Sequence, residues 1–406
     1  MAGHFTDAEW QKIIHELEVD PSTYGMPEGG REASLVFASF NIRKLGKVLH
    51  REREIDFLAR FCARCDLLAI QEVQDNLDGL RQLKDRMEAK VAGQGEFGLI
   101  VSDINGEVPG ETGMAERLAF IYRKHRVKRM DMASDLNIDR STVMQHFFDN
   151  HKLIVKTRKA FDKKMEEFDA GERATKPVYA VPTFITFIRS PHVTAFEIPA
   201  ANDEEPITFA AVNAHLIYGK QKERDAEFEA LIKWLAHRLK SESRMTVDNF
   251  ILLGDLNLNF DKPTKDRERI EKRIRLLNSE AFGDADERRI YFPLIDGEAK
   301  SGKAIRTNAR QNQTFDQIAF FLGSSEKRLP NDKWRALAAA DEPDGFSYGV
   351  FNFADLFARA LNGEAYTRLD KNEKKALGKK FEHSVSDHMP IWVRIPRPGF
   401  ALPPRV

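Results

Sequence analysis

The chain has almost no cysteine: Cys62 and Cys65 are the whole complement in 406 residues. A disulfide-stapled extracellular scaffold is thereby excluded. A lone Cys-x-x-Cys with no second Cys or His pair nearby is a weak zinc signal, and we read it as two partly buried structural thiols at the end of an amphipathic helix. Neither sign of charge is in excess. Lys+Arg and Asp+Glu each number 63, so the formal net charge is zero and any attraction to a polyanion has to come from local patches. No apolar run approaches membrane-spanning length, and Met1 to Trp10 is polar, without a basic start and an apolar stretch behind it. Neither a membrane span nor a secretory leader is expected, which leaves the cytoplasm as the default compartment. Internal repeats and low-complexity tracts are absent too.

What is present is an ordinary globular composition, 42% hydrophobic and 31% charged, long enough for one large core or two smaller ones. Residues 1–30 read as an N-terminal arm: a short helix over Asp7 to Glu18, then a Pro/Gly loop. Apolar runs predict strands at Leu35 to Phe40, Leu67 to Ile70, Arg117 to Tyr122, Thr183 to Arg189, Ile207 to Val212, Phe250 to Leu253, Phe315 to Phe321 and Ile391 to Ile395. Helical spacing predicts helices over Arg51 to Ala63 and Lys222 to Lys240. Residues 322–386 read as a charged, loop-rich stretch. About 124–182 differs in composition: Arg123 to Arg129 is dense in Lys and Arg, and Lys152, Lys156, Arg158, Lys159, Lys163 and Lys164 follow on a helical pattern. This segment is expected to be a mostly helical, basic insertion on the side of a domain spanning 31–400. Strands interspersed with helices, several apolar enough to be buried on both faces, predict two sheets packed face to face with helices outside.

Acid, amide and imidazole groups cluster where those apolar runs end. Phe40-Asn41, Gln71-Glu72, Asn213-Ala214-His215, Gly254-Asp255-Leu256-Asn257 and Ser386-Asp387-His388-Met389-Pro390 all sit at strand ends, and Asp316 opens a strand. Carboxylates at the ends of buried strands are costly unless paired or metal-bound. Glu72, with Asn41, Asp255, Asn257 and Asp387 as neighbours, suits the hard oxygen demand of Mg²⁺. His215 and His388 could act as acid and base on opposite sides of a reacting phosphorus, with Asp316 holding His388 in one tautomer. Taken singly, each acid is better accounted for as a cap on the turn after its strand, and a single histidine can be a hydrogen-bonded core or surface residue.

Together, in this order, the six motifs Phe40-Asn41-Ile42, Gln71-Glu72-Val73, Asn213-Ala214-His215-Leu216, Gly254-Asp255-Leu256-Asn257, Phe315-Asp316-Gln317-Ile318 and Ser386-Asp387-His388-Met389-Pro390 make the chain resemble the endonuclease/exonuclease/phosphatase (DNase I-like) superfamily. The resemblance implies a four-layer α/β/β/α sandwich and a divalent-metal-dependent phosphoesterase using Mg²⁺, with Mn²⁺ as a substitute. Carried onto this sequence, it makes Glu72 the principal metal ligand, assisted by Asn41 and Asp387. His388 becomes the base that activates water, with Asp316 as its partner. Asp255 and Asn257 would bind metal or orient nucleophile and phosphate, and His215 would lie beside the scissile phosphate. Arg117 occupies a strand opening where such proteins often carry a polar residue, and Lys303, Arg306 and Arg310 precede Asp316 where they could meet substrate. The leading expectation is a nuclease with nucleic acid as its substrate. A phosphatase or phosphodiesterase for phosphoinositide, sphingomyelin-type or small-metabolite esters is the alternative, and an inactive binding protein on the same scaffold the third reading.

Overall fold

The computed structural model describes residues 3–29, 32–46, 52–74, 76–91, 95–105, 115–138, 140–177, 179, 186–219, 221–240, 247, 249–258, 263–283, 289–296, 304–323 and 347–400. Two six-stranded mixed sheets are packed face to face. The first has the order β11-β12-β1-β2-β4-β3, built from β1 (Ser34–Leu45), β2 (Leu67–Val73), β3 (Phe97–Val101), β4 (Arg117–Arg123), β11 (Ser347–Val350) and β12 (Ile391–Pro396). The second has the order β5-β6-β7-β8-β10-β9, built from β5 (Lys128–Asp135), β6 (His192–Ile198), β7 (Ile207–His215), β8 (Asn249–Asp255), β9 (Ile290–Tyr291) and β10 (Asp316–Phe321). In each sheet one central pair is parallel, β1 with β2 and β7 with β8.

Strand alternation divides the apolar residues among three layers. On β1, Leu35 and Phe37 face the space between the sheets, while Val36, Ala38 and Phe40 face the first sheet's helices. The inter-sheet layer holds a run of rings, with Phe37 5.4 Å from Phe209, Phe209 5.8 Å from Phe196 and Phe196 5.8 Å from Phe120. Outside the first sheet pack α1 (Asp7–Val19), α2 (Glu52–Cys62), α3 (Asp78–Lys90), α7 (Phe353–Asn362) and α8 (Lys371–Ser384). Outside the second pack α5 (Gln221–Lys240) and α6 (Pro263–Phe282). This is the expected α/β/β/α sandwich.

Several expectations are corrected. The helix expected near the N-terminus is there, and its Trp10, Ile13 and Leu17 join the first sheet's core, with Trp10 against Phe57 and Phe357. The basic insertion is not wholly helical. Lys128–Asp135 is an exposed edge strand, and helix α4 (Arg140–Asp169) follows it. Charge on an edge strand discourages pairing with another sheet, which accounts for the lysine and arginine there without a ligand. Of the basic run before it, Arg123 and Arg126 are buried and clamp Asp66, itself 1% exposed, so they carry a structural ion pair and present no free patch. The strand expected at Thr183 to Arg189 lies partly outside the described residues; 186–189 form bends, and the strand comes later, at His192–Ile198. Within 322–386, residues 324–346 are outside the description, but the remainder contains β11, α7 and α8. Both helices carry sequence marks: Asn352 caps the first, and Asp370 with Glu373 forms a capping box on the second. Cys62 and Cys65 are free and buried, and burial pushes both thiols up, away from thiolate chemistry. Among the described residues no helix is long and apolar enough to cross a membrane.

Candidate phosphoester site

The inward-facing file of each central strand begins as apolar core and ends in a polar group. On β1 the file runs Leu35, Phe37, Ser39, Asn41; on β7, Ile207, Phe209, Ala211, Asn213, His215; on β8, Ile251, Leu253, Asp255; on β10 it runs back from Phe320 and Ile318 to Asp316. All of these polar ends are buried. The packing that hides the apolar layer thus gathers the polar ends into one cluster between the sheets.

Asp255 is its centre. Its Oδ2 lies 3.5 Å from Nε2 of His215 and 3.6 Å from Nε2 of His388, and it accepts a hydrogen bond from Nδ2 of Asn41 at 3.1 Å. Its Oδ1 accepts from the backbone N–H of Asn257 at 2.9 Å. Each imidazole is anchored on its far nitrogen by a second buried carboxylate. Nδ1 of His388 donates to Asp316 at 3.0 Å, and Nδ1 of His215 donates to Glu116 at 2.5 Å. Both rings are thereby fixed with Nε2 facing the shared aspartate. Arg189 completes the His215 side, its Nε 3.0 Å from Glu116.

The electrostatics follow from burial and charge. Burial alone would lower His388, but Asp316 and Asp255 override it and hold the imidazole well above its ordinary value. His215 is raised in the same way, by Glu116 against burial and against Arg189. Burial would raise Asp255, yet the two imidazoles carry it below the usual carboxylate range. Asp316 goes the other way: burial and the charge of Asp255 outweigh its histidine and lift it. Asp255, Asp316 and His388 lie close enough to form a cation cage. Their mutual ion pairing accounts for that closeness, and the fit to a hard cation is better elsewhere.

That better fit is beside Asn41. Its Oδ1 is buried without a hydrogen-bond partner, and so is Oδ1 of Asp387. The two segments adjoin, since Ser386 Oγ donates to the Asn41 carbonyl at 2.7 Å. Glu72 comes to the same place, its Oε1 accepting from Asn41 Nδ2 at 3.3 Å. Oxygen-only donors, two of them orphaned in the interior, match what Mg²⁺ or Mn²⁺ takes from a protein.

The backbone is bent to make this possible. Pairing between β1 and β2 slips between Asn41 and Leu45, and pairing between β2 and β4 slips between Ile70 and Val73. Lys44, Glu72 and Asn257 have φ of 53°, 60° and 50°, in the left-handed region that side chains disfavour. Bulges re-aim side chains, and here Glu72 leaves strict alternation to point at Asn41. Gly254 is needed for a different reason: a Cβ there would overlap the carbonyl oxygen of Ala214, its partner in the parallel β7–β8 pair. Gly254→Ala is therefore expected to destabilise the fold by about 1–3 kcal/mol and to lower turnover by splaying His215 from Asp255. Urea unfolding and kcat check it; an unchanged midpoint would refute the overlap.

Of the residues singled out in the sequence, the structure brings together Asn41, Glu72, His215, Asp255, Asn257, Asp316 and His388, and Asp387 adjoins them. Arg117 is not among them. It sits on the opposite parity of β4, donating to the Ser102 carbonyl at 2.9 Å and reaching Asp103 at 3.4 Å. Arg310 is exposed and paired with Glu382 at 2.6 Å. Arg306, half-buried with Nη1 unpartnered, precedes Thr307, whose hydroxyl accepts from the backbone of Phe315 and Asp316. Lys303 lies outside the described residues. Two members of the site were missed. Glu116 adjoins the residue chosen instead of it, and the alternation Glu116, Leu118, Phe120 would have selected it. Glu227 comes from the middle of α5, and its buried carboxylate accepts from the backbone of Ile188 and Ile217 at 2.7 and 2.6 Å, fixing the loop after His215. No local sequence signal marks it.

No family model matches the chain. One stretch is 35% identical over 102 residues to deoxyribonuclease-1-like 1 of Sus scrofa, covering 25% of this chain; the chain spans only 30% of that relative's length. Among solved structures, the human Nocturnin catalytic domain is 12% identical with a TM-score of 0.43, covering 89% of this chain and 93% of its own. An endonuclease/exonuclease/phosphatase family protein from Leptotrichia buccalis is 12% identical with a TM-score of 0.42, covering 89% and 99%. D. rerio TDP2, complexed with a single-strand DNA product, gives 12% and 0.42, covering 89% and 99%.

Proposed function

We propose that this chain is a divalent-metal-dependent phosphoesterase of the endonuclease/exonuclease/phosphatase superfamily, and that its substrate is a nucleic acid phosphodiester. The observation that carries the reading is the shared Asp255: two imidazoles face it at 3.5 and 3.6 Å, each anchored behind by its own carboxylate, with a cluster of hard oxygen donors adjoining. Glu72, Asn41 and Asp387 would hold the cation, which supplies Lewis-acid stabilisation of the phosphoryl charge. His388 exchanges a proton at Nε2, because Asp316 occupies Nδ1. Asp255 and Asn257 orient the attacking water and the phosphate, and His215 stabilises negative charge from the other side. Two carboxylate-backed imidazoles suit in-line hydrolysis, where one group takes a proton as the opposite group shields or protonates the leaving oxygen.

The nucleic acid assignment draws on the deoxyribonuclease-1-like relative and the DNA-bound TDP2 neighbour. The domain we assign to it is 31–400, with 1–30 as an arm packed on its side. The test is one Mg²⁺-dependent cleavage panel: double- and single-stranded DNA, RNA, an abasic duplex, a phosphoinositide and sphingomyelin. Cleavage of a nucleic acid is expected; turnover of the lipid esters alone would overturn that assignment while leaving the phosphoester chemistry.

Helix α4 bears on how such a substrate would be held. None of its 30 residues is buried, and Lys156, Arg158 and Lys159 lie on its exposed surface. Replacing these three with Ser is expected to weaken nucleic-acid binding and to flatten log Kd against log salt by up to about 3, because fewer counterions are released. Saturated turnover stays the same. A titration at several salt concentrations that overlays the unmodified protein would make the helix a solvated face instead.

A further inference from the structure

Three residues beyond His215, Tyr218 is 72% exposed. It touches Phe315 edge-on, with centroids 6.2 Å apart and planes at 82°. Phe315 in turn lies 5.5 Å from the imidazole of His388. The aromatic surface therefore runs without a break from solvent to the reacting centre in two ring-to-ring steps.

The support under Tyr218 is unusually firm for an exposed loop. Leu216 N–H donates to the Asp255 carbonyl at 2.9 Å, and the Leu216 carbonyl accepts from Asn257 Nδ2 at 2.7 Å. Ile217 N–H donates to the buried carboxylate of Glu227 at 2.6 Å. The two residues before Tyr218 are thus tied to β8, to the segment after it and to α5, while Tyr218 itself rests edge-on against Phe315 and is otherwise open to solvent. A rigidly mounted, solvent-facing ring beside a phosphoester site is built to receive another flat surface, since little ordering entropy remains to be lost on contact.

We propose that Tyr218 is a stacking platform for a nucleobase flanking the scissile phosphate, so that the favoured substrate has an unpaired or splayed nucleotide there. Every base offers a π-face, so such a platform gives affinity with little sequence preference. The inference rests on the nuclease reading, and its test separates the two. The substrate is a single-stranded oligonucleotide, of whichever sugar the enzyme cleaves, with one hydrolysable phosphodiester and phosphorothioates elsewhere. Tyr218→Ala should raise KM about 5- to 100-fold, with kcat moving much less. Tyr218→Phe, which keeps the ring, should restore KM. An abasic residue is then walked along both sides of the cleavable bond. At one position its loss should raise KM for the native protein yet add nothing to the alanine variant, because the ring and the base form one contact. Additive effects at every position, or an unchanged KM in Tyr218→Ala, would overturn the platform while the nuclease stands. Failure of the native protein to cleave any oligonucleotide while hydrolysing another phosphoester would overturn the nuclease reading and the platform with it.

Discussion

Glu72→Gln is expected to abolish Mg²⁺-dependent turnover and leave the fold intact. The amide keeps the shape of the side chain, and its remaining oxygen can still accept from Asn41 Nδ2, the contact now made at 3.3 Å. What it loses is the charge that holds a hard cation. Metal ions supply several kcal/mol of stabilisation to a developing phosphoryl charge, so the loss corresponds to about 10³-fold or more in kcat. Glu72 is only partly buried, which limits the penalty to folding. The left-handed backbone at that position is unaffected by the exchange, since both residues carry a Cβ. Isothermal titration should show weakened Mg²⁺ binding beside an unchanged melting temperature. Unaltered Mg²⁺ affinity would move the principal ligand elsewhere, with the Asp255, Asp316 and His388 group as the next place to look.

His388→Ala should cost about 10²–10⁴-fold in kcat, the range for removing a positioned acid or base. It should also destabilise the protein, because Asp255 and Asp316 would be left buried and facing each other without the imidazole between them. Breaking a buried ion pair by removing one partner costs about 3–5 kcal/mol. His388→Gln serves as the control for folding, since it fills the space but cannot exchange a proton. Asp316→Asn should be milder in rate: the imidazole remains, but an amide can present its N–H to Nδ1 and favour the wrong tautomer. Rates measured at saturating metal, with unfolding midpoints alongside, separate these effects. Equal and mild losses in all three variants would reduce the pair to a structural role.

Much of this architecture can be read from the chain, for a physical reason. A strand buried on both faces is a short apolar run, so an acid, amide or imidazole at its end is conspicuous, and Asn41, His215, Asp255, Asp316 and His388 all announce themselves this way. The reading fails where the same cue is weak. β5 has one side open, with Met130, Met132 and Asp135 half-covered, and its lysine and arginine resemble a helix face. β6 was expected several residues too early because 183–189 is as apolar as the true strand. Glu116 was passed over for Arg117, since composition without strand parity cannot say which of two neighbours faces inward. Glu227 acts through the backbone of two distant segments, information that exists only once α5 is docked on the second sheet.

The site draws on both sheets, and its members are scattered from Asn41 to His388. The first sheet brings Asn41 and Glu72 and, just ahead of the strand that zips onto β1, Asp387 and His388; the second brings His215, Asp255 and Asp316. Asp387 and His388 follow every other member of the site in the chain, and β12, which comes directly after them, lies between β1 and β11. The site exists only where the two sheets close on each other, so a misfolded copy has the residues without their arrangement.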